Sequence, residues 1–382
     1  MVVAALGTAQ TLAWASSYYL PAILADPIAS GIGLSRNWVF AAFSLSLLVA
    51  AVLGPAVGRL IDRRGGRNVL AVSNLVLAAG LVALAAAEGP LSLLAAWVIL
   101  GVGMSLGLYD AGFATLAALY GHGARGPITG ITLFAGFAST VSWPVSAMLN
   151  DAVGWRETCL IWAALNLVIG LPLNRLVLPA APSLARDHSV SEPYVGWRPY
   201  REMFLLAFVF AAVWFVTGAM AAHIPTLLER AGATPAQAVA AAALVGPAQV
   251  AARLGEFAVL RRIHPLISAR IAAVLHPIGA VVFFMLGPAS AAVFTLLYGA
   301  GNGLLTIARG TVPLAIFGPL GYGERNGLLG APARIVQAFA PLIFGFLLDT
   351  IGIAAIWVSA ALCLSALMAL LLLKADTTGS RQ

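Results

Sequence analysis

Residues 58–67 read GRLIDRRGGR and separate two long apolar runs. Only 9% of the chain is charged, yet five charged side chains fall within these ten residues. The flanking runs, 39–58 and 69–87, are each long enough to cross the hydrocarbon core of a bilayer, roughly 30 Å, as an α-helix. The stretch therefore predicts a tight turn between two membrane-spanning helices, and its arginines predict that the turn is cytoplasmic.

The composition indicates an integral membrane protein. Of the 382 residues, 61% are hydrophobic and the mean hydropathy is +0.96, whereas a soluble protein maintains far more polar surface. The net charge of +7 comes from arginines in short loops, so it does not indicate a nucleic-acid partner. Cys159 and Cys363 lie in apolar runs without a disulfide or metal-binding spacing. We therefore expect a lipid bilayer as partner, with no cofactor and no metal.

Apolar runs of about 18–25 residues predict about twelve helices. The first is expected over residues 1–25 and the fourth over 91–120, with loops at 26–36 and 321–326. A polar stretch rich in proline then indicates a linker between two halves. The predicted organisation is a six-helix bundle at 1–178, a cytoplasmic linker at 179–201, a second six-helix bundle at 202–374 and a tail at 375–382.

The distribution of arginines predicts the orientation. The loops after helices 2, 4, 6, 8 and 10 carry most of them. The alternate loops have fewer arginines and carry Asp26, Glu88, Asp151, Glu157, Glu229 and Asp349. Both termini are therefore expected in the cytoplasm, with the protein as a monomer in the inner (plasma) membrane.

Short motifs recur in the same order in the two predicted bundles. The pairs include Leu100-Gly101-Val102-Gly103 with Tyr298-Gly299-Ala300-Gly301, and Gly54-Pro55 with Gly246-Pro247. A six-helix unit thus occurs twice in the same orientation, which is a parallel repeat.

The charged turn also carries a recognisable spacing, Gly-x-x-x-Asp-Arg-x-Gly-x-Arg, at Gly58, Asp62, Arg63, Gly65 and Arg67. This spacing resembles the loop between helices 2 and 3 of major facilitator superfamily (MFS) transporters. The resemblance implies an all-α membrane protein whose twelve helices form two pseudo-symmetric bundles, with a substrate site between them. Without the resemblance, the turn would be a positive-inside loop with no further role.

The resemblance also implies a role for the turn as a conformational switch. In MFS transporters this loop contacts the cytoplasmic ends of helices 4 and 11 and stabilises the outward-open state. Asp62 is then expected at the positive N-terminal end of helix 11, near Asn326. One feature departs from the family: residues 117–126, at the end of helix 4, contain no acidic side chain.

Three charged residues lie far from the ends of the predicted helices, where charges are costly and often functional. They are Asp110, Arg309 and Arg334. The functional interpretation is that Asp110 exchanges a proton while the arginines bind an anion. Alternatively, Asp110 and Arg309 form a structural pair, and Arg334 extends its side chain towards the cytoplasm.

Further polar and aromatic residues complete the candidate site. The substrate candidates on helices 1, 4, 7, 10 and 11 are Tyr18, Tyr19, Tyr109, Trp214, Asn302 and Gln337. His223 is a second candidate for proton coupling, although a neutral histidine bonded to a neighbour is the commoner situation. For the aromatic residues, the alternatives are helix packing and anchoring at the membrane interface.

The sequence predicts a secondary active transporter and not an enzyme. The first hypothesis is proton-coupled, alternating-access transport of a small organic or inorganic anion, similar to the monocarboxylate or oxalate–formate branches. The alternative is a proton-driven efflux antiporter for drugs or metabolites. Such antiporters usually carry Gly-Pro-x-x-Gly-Gly late in helix 5, where this chain has Ser142-Trp143-Pro144-Val145-Ser146.

Overall fold

The computed structural model describes residues 1–180, 198–260 and 263–374. Over these residues the chain is helical without a strand, and twelve transmembrane segments follow one another. Numbered in chain order, the segments are Val2–Ala15 with Leu20–Gly31, Arg36–Arg64, Gly66–Ala85, Pro90–Gly107 with Tyr109–Tyr120, Arg125–Gly136 with Ala138–Val153, Trp155–Val177, Arg198–Arg230, Pro235–Ala243 with Val245–Ala258, Pro265–Leu286, Ala291–Phe317, Tyr322–Ile351 and Ala355–Leu372.

Length and composition make these segments membrane-spanning. Within the described ranges, eight continuous helical stretches are long and apolar enough to cross a membrane. Three of the eight stretches contain two segments each, so the eight stretches account for eleven segments. Segment 1 is the twelfth; it is not among the eight because a break divides it into two helices that are each too short. The predicted all-α fold with twelve segments is confirmed.

The chain divides into two compact units. The first contains segments 1 to 6 together with Pro319–Ala331, which includes the start of segment 11. The second contains segments 7 to 10, the remainder of segment 11 from Pro332, and segment 12. Of the predicted linker at 179–201, residues 181–197 lie outside the described residues, as does the whole tail at 375–382.

Among the described residues, segments 1, 4, 5 and 8, which the sequence predicts as continuous helices, are each divided into two helices, and the breaks in segments 1 and 4 lie next to candidate site residues. Segment 1 is interrupted at residues 16–19, and segment 4 at Leu108, whose backbone is extended with φ −82° and ψ −170°. Gln10 contributes to the second break, because its Nε2 donates a hydrogen bond of 2.6 Å to the carbonyl oxygen of Gly107. The loop expected at 26–36 is also wrong in extent, since the second helix of segment 1 continues to Gly31.

Side-chain amides join segments 1, 3 and 6 inside the first unit. Asn166 donates to Ser16 Oγ at 2.9 Å, the side-chain amides of Asn74 and Asn166 lie 3.2 Å apart, and those of Asn74 and Asn174 lie 2.8 Å apart. All four side chains are buried. We call this chain of contacts the amide ladder. Two π-helical turns in segment 6, at Asn166–Gly170 and Leu173–Val177, begin at or contain its asparagines.

Two arginines donate hydrogen bonds to backbone carbonyl oxygens at the ends of neighbouring helices. Arg156 donates to the carbonyl oxygens of Ala85 and Ala87 at the end of segment 3. Arg270 likewise donates to Leu370 at the end of segment 12, at 3.0 Å. The last carbonyls of a helix have no partner within it, and a cation also complements the helix dipole there. These contacts stabilise the packing of neighbouring segments within each unit.

Candidate functional site

The charged turn at the end of segment 2 binds the start of segment 11. The two carboxylate oxygens of Asp62 accept hydrogen bonds from the backbone N–H groups of Gly323 and Glu324, each at 2.8 Å. These N–H groups belong to the first turn of a helix, which attracts a negative charge. The predicted loop at 321–326 is therefore wrong, because the helix of segment 11 begins at Tyr322.

Glycines bring the two backbones into direct contact at this point. Gly54 and Gly58 on segment 2 face Gly327 and Gly323 on segment 11, so each helix presents a Gly-x-x-x-Gly pair. A Cβ on Gly327 would lie 2.6 Å from the carbonyl of Gly54, and one on Gly58 would overlap the carbonyl of Gly323. Small residues at this spacing allow close helix approach in membranes. We call the contact of these four glycines and Asp62 the glycine latch.

The other residues of the turn lie around the latch. Arg59 forms an ion pair with Glu324 at 2.6 Å, with both side chains partly exposed. Gly65 has φ +77°, a conformation that favours glycine, and it permits the sharp change of direction between segments 2 and 3. Arg63 is exposed, and Arg67 is half-buried. Glu324 and the glycines of segment 11 were not predicted from the sequence, although the Gly-x-x-x-Gly spacing at 323–327 is a signal that could have found them.

Asp110 lies in the first turn of the second helix of segment 4. Its Oδ1 accepts a hydrogen bond of 3.2 Å from Nδ2 of Asn326, and both residues are buried, at 8% and 0% exposure. Asn326 follows Gly323 by three residues on segment 11. The start of segment 11 therefore contacts both acidic residues that the sequence predicts as functional in the first unit.

The aromatic candidates of the first unit form one cluster. The ring of Trp14 lies 4.8 Å from Tyr109, 5.0 Å from Tyr18 and 5.9 Å from Tyr19, measured between ring centroids. Tyr18 and Tyr19 lie in the break of segment 1, and Tyr109 directly follows the break of segment 4. We call these four residues the aromatic cluster. Its rings contact one another beside the breaks in segments 1 and 4.

In the second unit, the guanidinium of Arg309 lies over the ring of Trp214, 5.0 Å from the centroid. Arg309 belongs to segment 10 and Trp214 to segment 7, so the contact joins two segments. Only 7% of Arg309 is exposed. Such a cation–π contact stabilises a buried guanidinium.

The remaining candidates of the second unit are buried or hydrogen-bonded to a neighbouring segment. Asn302 Oδ1 accepts from Thr217 Oγ1 at 2.9 Å, and His223 donates from Nε2 to the carbonyl oxygen of Pro341 at 2.8 Å. Arg334 and Gln337 on segment 11 are buried, at 8% and 7% exposure. The second unit thus holds Trp214, His223, Asn302, Arg309, Arg334 and Gln337, and the first unit holds Tyr18, Tyr19, Tyr109 and Asp110.

The sequence profile of the Major Facilitator Superfamily matches residues 6–313. An uncharacterized 38 kDa protein in the 23S RNA operon of Thermoproteus tenax is 33% identical over 156 residues, 41% of this chain and 40% of that protein. An MFS-type efflux pump of Mycolicibacterium smegmatis is 31% identical over 193 residues, 47% of this chain and 42% of the pump. The matches thus span about 40% of the length of both relatives.

Solved structures share the fold at low sequence identity. The human organic anion transporter MFSD10 (TETRAN) superposes with a TM-score of 0.74 at 17% identity, covering 97% of this chain and 98% of that chain. The proton:xylose symporter XylE gives 0.74 at 14% identity, covering 97% and 94%. The fucose:proton symporter FucP of E. coli gives 0.72 at 15% identity, covering 96% and 97%.

Twelve apolar segments in two units, with charged side chains buried in each unit, define a multi-pass membrane protein. The family profile covers most of the chain, and the related structures are transporters. The chain belongs to the Major Facilitator Superfamily. Members of this family are transporters and not enzymes, and they bind small-molecule substrates within the membrane.

Proposed function

We propose that the chain is a secondary active transporter that moves a small organic or inorganic anion by alternating access, coupled to protons. The observation that carries the proposal is the buried Arg309 on Trp214. A charge inside a membrane protein is costly, so it is usually retained for binding or transport. Arg334 adds a second buried guanidinium in the same unit.

The geometry of Arg309 suits an anion with two oxygens. The guanidinium carbon lies over the Trp214 ring, and a guanidinium carries its N–H groups along the edges of its plane. A carboxylate or oxyanion can accept two parallel hydrogen bonds from such an edge. Gln337 and Asn302 supply neutral amide groups in the same unit, of the kind that orient a polar ligand.

Asp110 is the proposed proton carrier. As a carboxylate, it accepts from Nδ2 of Asn326. The Oδ1 atom of Asn326 is buried without a hydrogen-bond partner among the described residues. Rotation of that amide by half a turn would let Oδ1 accept from a protonated Asp110. Asn326 can therefore bind either protonation state, as a coupling site requires. His223 is the second candidate in this role.

The charged turn is the proposed conformational switch. Asp62, with Gly58, holds the start of segment 11, and Gly65 shapes the turn that presents Asp62. Arg63 and Arg67 add positive charge around it. Releasing these contacts would free segment 11 from segment 2, which is the kind of two-state element that alternating access needs.

Variants of Arg309 test the substrate role. Arg309→Lys keeps the charge without the planar fork and should bind substrate weakly. Arg309→Ala should lose binding almost completely, by roughly 2–5 kcal/mol for a desolvated ion pair. Thermal-shift screening of the purified wild-type protein against organic acids, oxyanions and cationic drugs would supply the ligand for these measurements.

The rival interpretation of Arg309 is a structural pair with Asp110. In that case, each single neutralisation would damage folding, and the double variant Asp110→Asn with Arg309→Gln would restore expression and transport. Rescue of transport in the double variant would remove Arg309 from the substrate site. Loss of binding by Arg309→Ala at normal expression and thermal stability would support the anion proposal.

The second candidate function is a proton-driven efflux antiporter for drugs or metabolites. The aromatic cluster favours it, because stacked rings bind planar or cationic organic molecules. The efflux pump of M. smegmatis is also similar over 47% of this chain. The same thermal-shift screen separates the two functions: stabilisation by cationic drugs and not by anions would favour the antiporter.

We further propose that the protein is a monomer in the inner membrane with both termini in the cytoplasm. The motive is the arginine bias of the loops after the even-numbered segments. Reporter fusions within residues 181–197 and at the C-terminus should both indicate the cytoplasm. An external signal at either position would overturn this orientation.

A further inference from the structure

A histidine outside the candidate site lies buried between segments of the second unit. His276 is on segment 9 and is 4% exposed. Its Nε2 lies 2.9 Å from Oγ of Ser359 on segment 12, and that hydroxyl donates to the carbonyl oxygen of Ile356 at 2.7 Å. A hydroxyl has one hydrogen to donate. The contact with Ile356 is the shorter of the two, so we assign the Ser359 hydrogen to it and make Nε2 of His276 the donor to Ser359.

This assignment leaves the other ring nitrogen as an acceptor. A neutral imidazole with hydrogen on Nε2 carries a lone pair on Nδ1. Nδ1 of His276 is buried and has no hydrogen-bond partner among the residues that the structure describes. Buried acceptors in native proteins are nearly always satisfied, often by an ordered water.

A cavity of about 20 Å³ lies beside His276, between segments 7, 9, 10 and 12. It is large enough for one water molecule, which needs roughly 10–15 Å³. Its polar lining includes Thr217 and Asn302, and the remainder is largely apolar. The Oδ1 atom of Asn302 lies 2.9 Å from Thr217 Oγ1, whose hydrogen it shares with the carbonyl oxygen of Val213 at 3.0 Å. The Nδ2 group of Asn302 is the donor group on the other side of the amide.

We propose that this cavity binds a single ordered water, which donates to Nδ1 of His276 and accepts from Nδ2 of Asn302. Thr217 and the water then hold the two ends of the Asn302 amide. His276 is thereby a positioning residue for Asn302, although it does not touch substrate itself. The water site rests on this geometry alone, and its importance for binding rests on the proposed function.

Other occupants fit the cavity less well. Its volume excludes an organic ligand. A metal ion would need several ligand atoms, and the described ranges contain no group of three His, Cys, Asp or Glu side chains able to hold one. Water also matches the complementary polarity of the site, because it can donate to one partner and accept from the other.

The wild-type protein provides the first test, without any substrate. In protein labelled with ¹⁵N-histidine and reconstituted in lipid, the His276 resonances should show hydrogen on Nε2 and none on Nδ1. They are assigned by their absence from His276→Phe. An Nδ1–H tautomer or a doubly protonated ring would refute the proposal. A density map that resolves internal waters should show a peak about 2.7–3.2 Å from Nδ1, and an empty cavity in such a map would also refute it.

Variants test the link to Asn302. Asn302→Leu removes one partner of the water, so the Nδ1 resonance of His276 should shift. Thr306→Val is the matched control: it removes a hydroxyl one turn along the same segment, outside the cavity lining. In the reverse experiment, His276→Phe should shift the side-chain amide resonance of Asn302. Equal effects of Asn302→Leu and Thr306→Val, or an unchanged Asn302 amide, would overturn the positioning role. None of these measurements depends on transport, so the water site and the anion proposal can fail separately.

Discussion

Replacing Asp62 by asparagine is the most direct perturbation of the glycine latch. The carboxylate offers two acceptors to two backbone N–H groups, of Gly323 and Glu324, at 2.8 Å each. Asparagine is nearly the same size but offers one acceptor, and it turns an NH₂ group towards the second N–H. It also removes the negative charge from the start of a helix. The contacts between the glycine backbones are unchanged.

The magnitude follows from the hydrogen bond and the negative charge that the substitution removes. A hydrogen bond to a charged group contributes about 1.5–3 kcal/mol when both partners are desolvated, and a charge at an exposed helix terminus contributes about 0.3–1 kcal/mol. Asp62 is half-buried, so we expect a loss of about 2 kcal/mol in the free energy of latch closure. At 1.4 kcal/mol per factor of ten, the ratio of open to closed latch should increase about 30-fold.

The assay measures a distance inside the first unit. Spin labels on Asn68→Cys and Leu320→Cys, both exposed, would report the separation of the turn from the start of segment 11. The background would carry Cys159→Ala and Cys363→Ala, which remove the two native thiols. Double electron–electron resonance should show a larger population at long distance in Asp62→Asn, with slower transport and little loss of substrate affinity.

The matched control is Arg59→Gln, which removes the ion pair with Glu324 beside the latch. That pair is partly exposed and should contribute about 0–1 kcal/mol, or at most about a fivefold change in the same ratio. If Asp62→Asn gave the wild-type distance distribution, or changed it no more than Arg59→Gln, the hydrogen bonds of Asp62 would not hold the latch.

Three further changes test the packing within the first unit. Gly327→Leu should open the latch in the same distance assay, because its side chain would overlap the carbonyl of Gly54; an unchanged distribution would contradict the close approach. Asn74→Leu should lower the free energy of unfolding by about 1–3 kcal/mol, because it leaves amides of the ladder unpaired, whereas wild-type thermal stability would show that the ladder contributes little. Arg156→Ala should cost about 1–2 kcal/mol by exposing the last carbonyls of segment 3, and Arg156→Lys should recover part of that loss.

Features that depend on local composition were predictable from the sequence. Apolar runs and arginine-rich turns predicted twelve helices, and the spacing around Asp62 indicated the correct family. The all-helical fold and the class of transporter follow from such local patterns, because the bilayer requires every spanning segment to be long, apolar and internally hydrogen-bonded.

The breaks and the start of segment 11 could not be predicted in this way. The interruption at Leu108 depends partly on Gln10, which is 97 residues away from Gly107 in sequence. The stretch at 321–326 has the composition of a loop, yet it is helical from Tyr322 because Asp62 binds its first N–H groups across 261 residues. Hydrophobic periodicity carries no information about such distant partners. For the same reason, the contact of Asp110 with Asn326 was not foreseen.

The amide ladder has a consequence for how the protein is made. Asn166 and Asn174 of segment 6 would be left as unpaired amides if that segment entered the lipid alone, and unsatisfied polar groups are costly in hydrocarbon. Their partners, Ser16 and Asn74, lie on segments that are synthesised earlier. Segment 6 should therefore leave the insertion machinery only when its amides can bond to segments 1 and 3. Biogenesis of the first unit would then be completed by a late-arriving helix whose membrane integration depends on its predecessors.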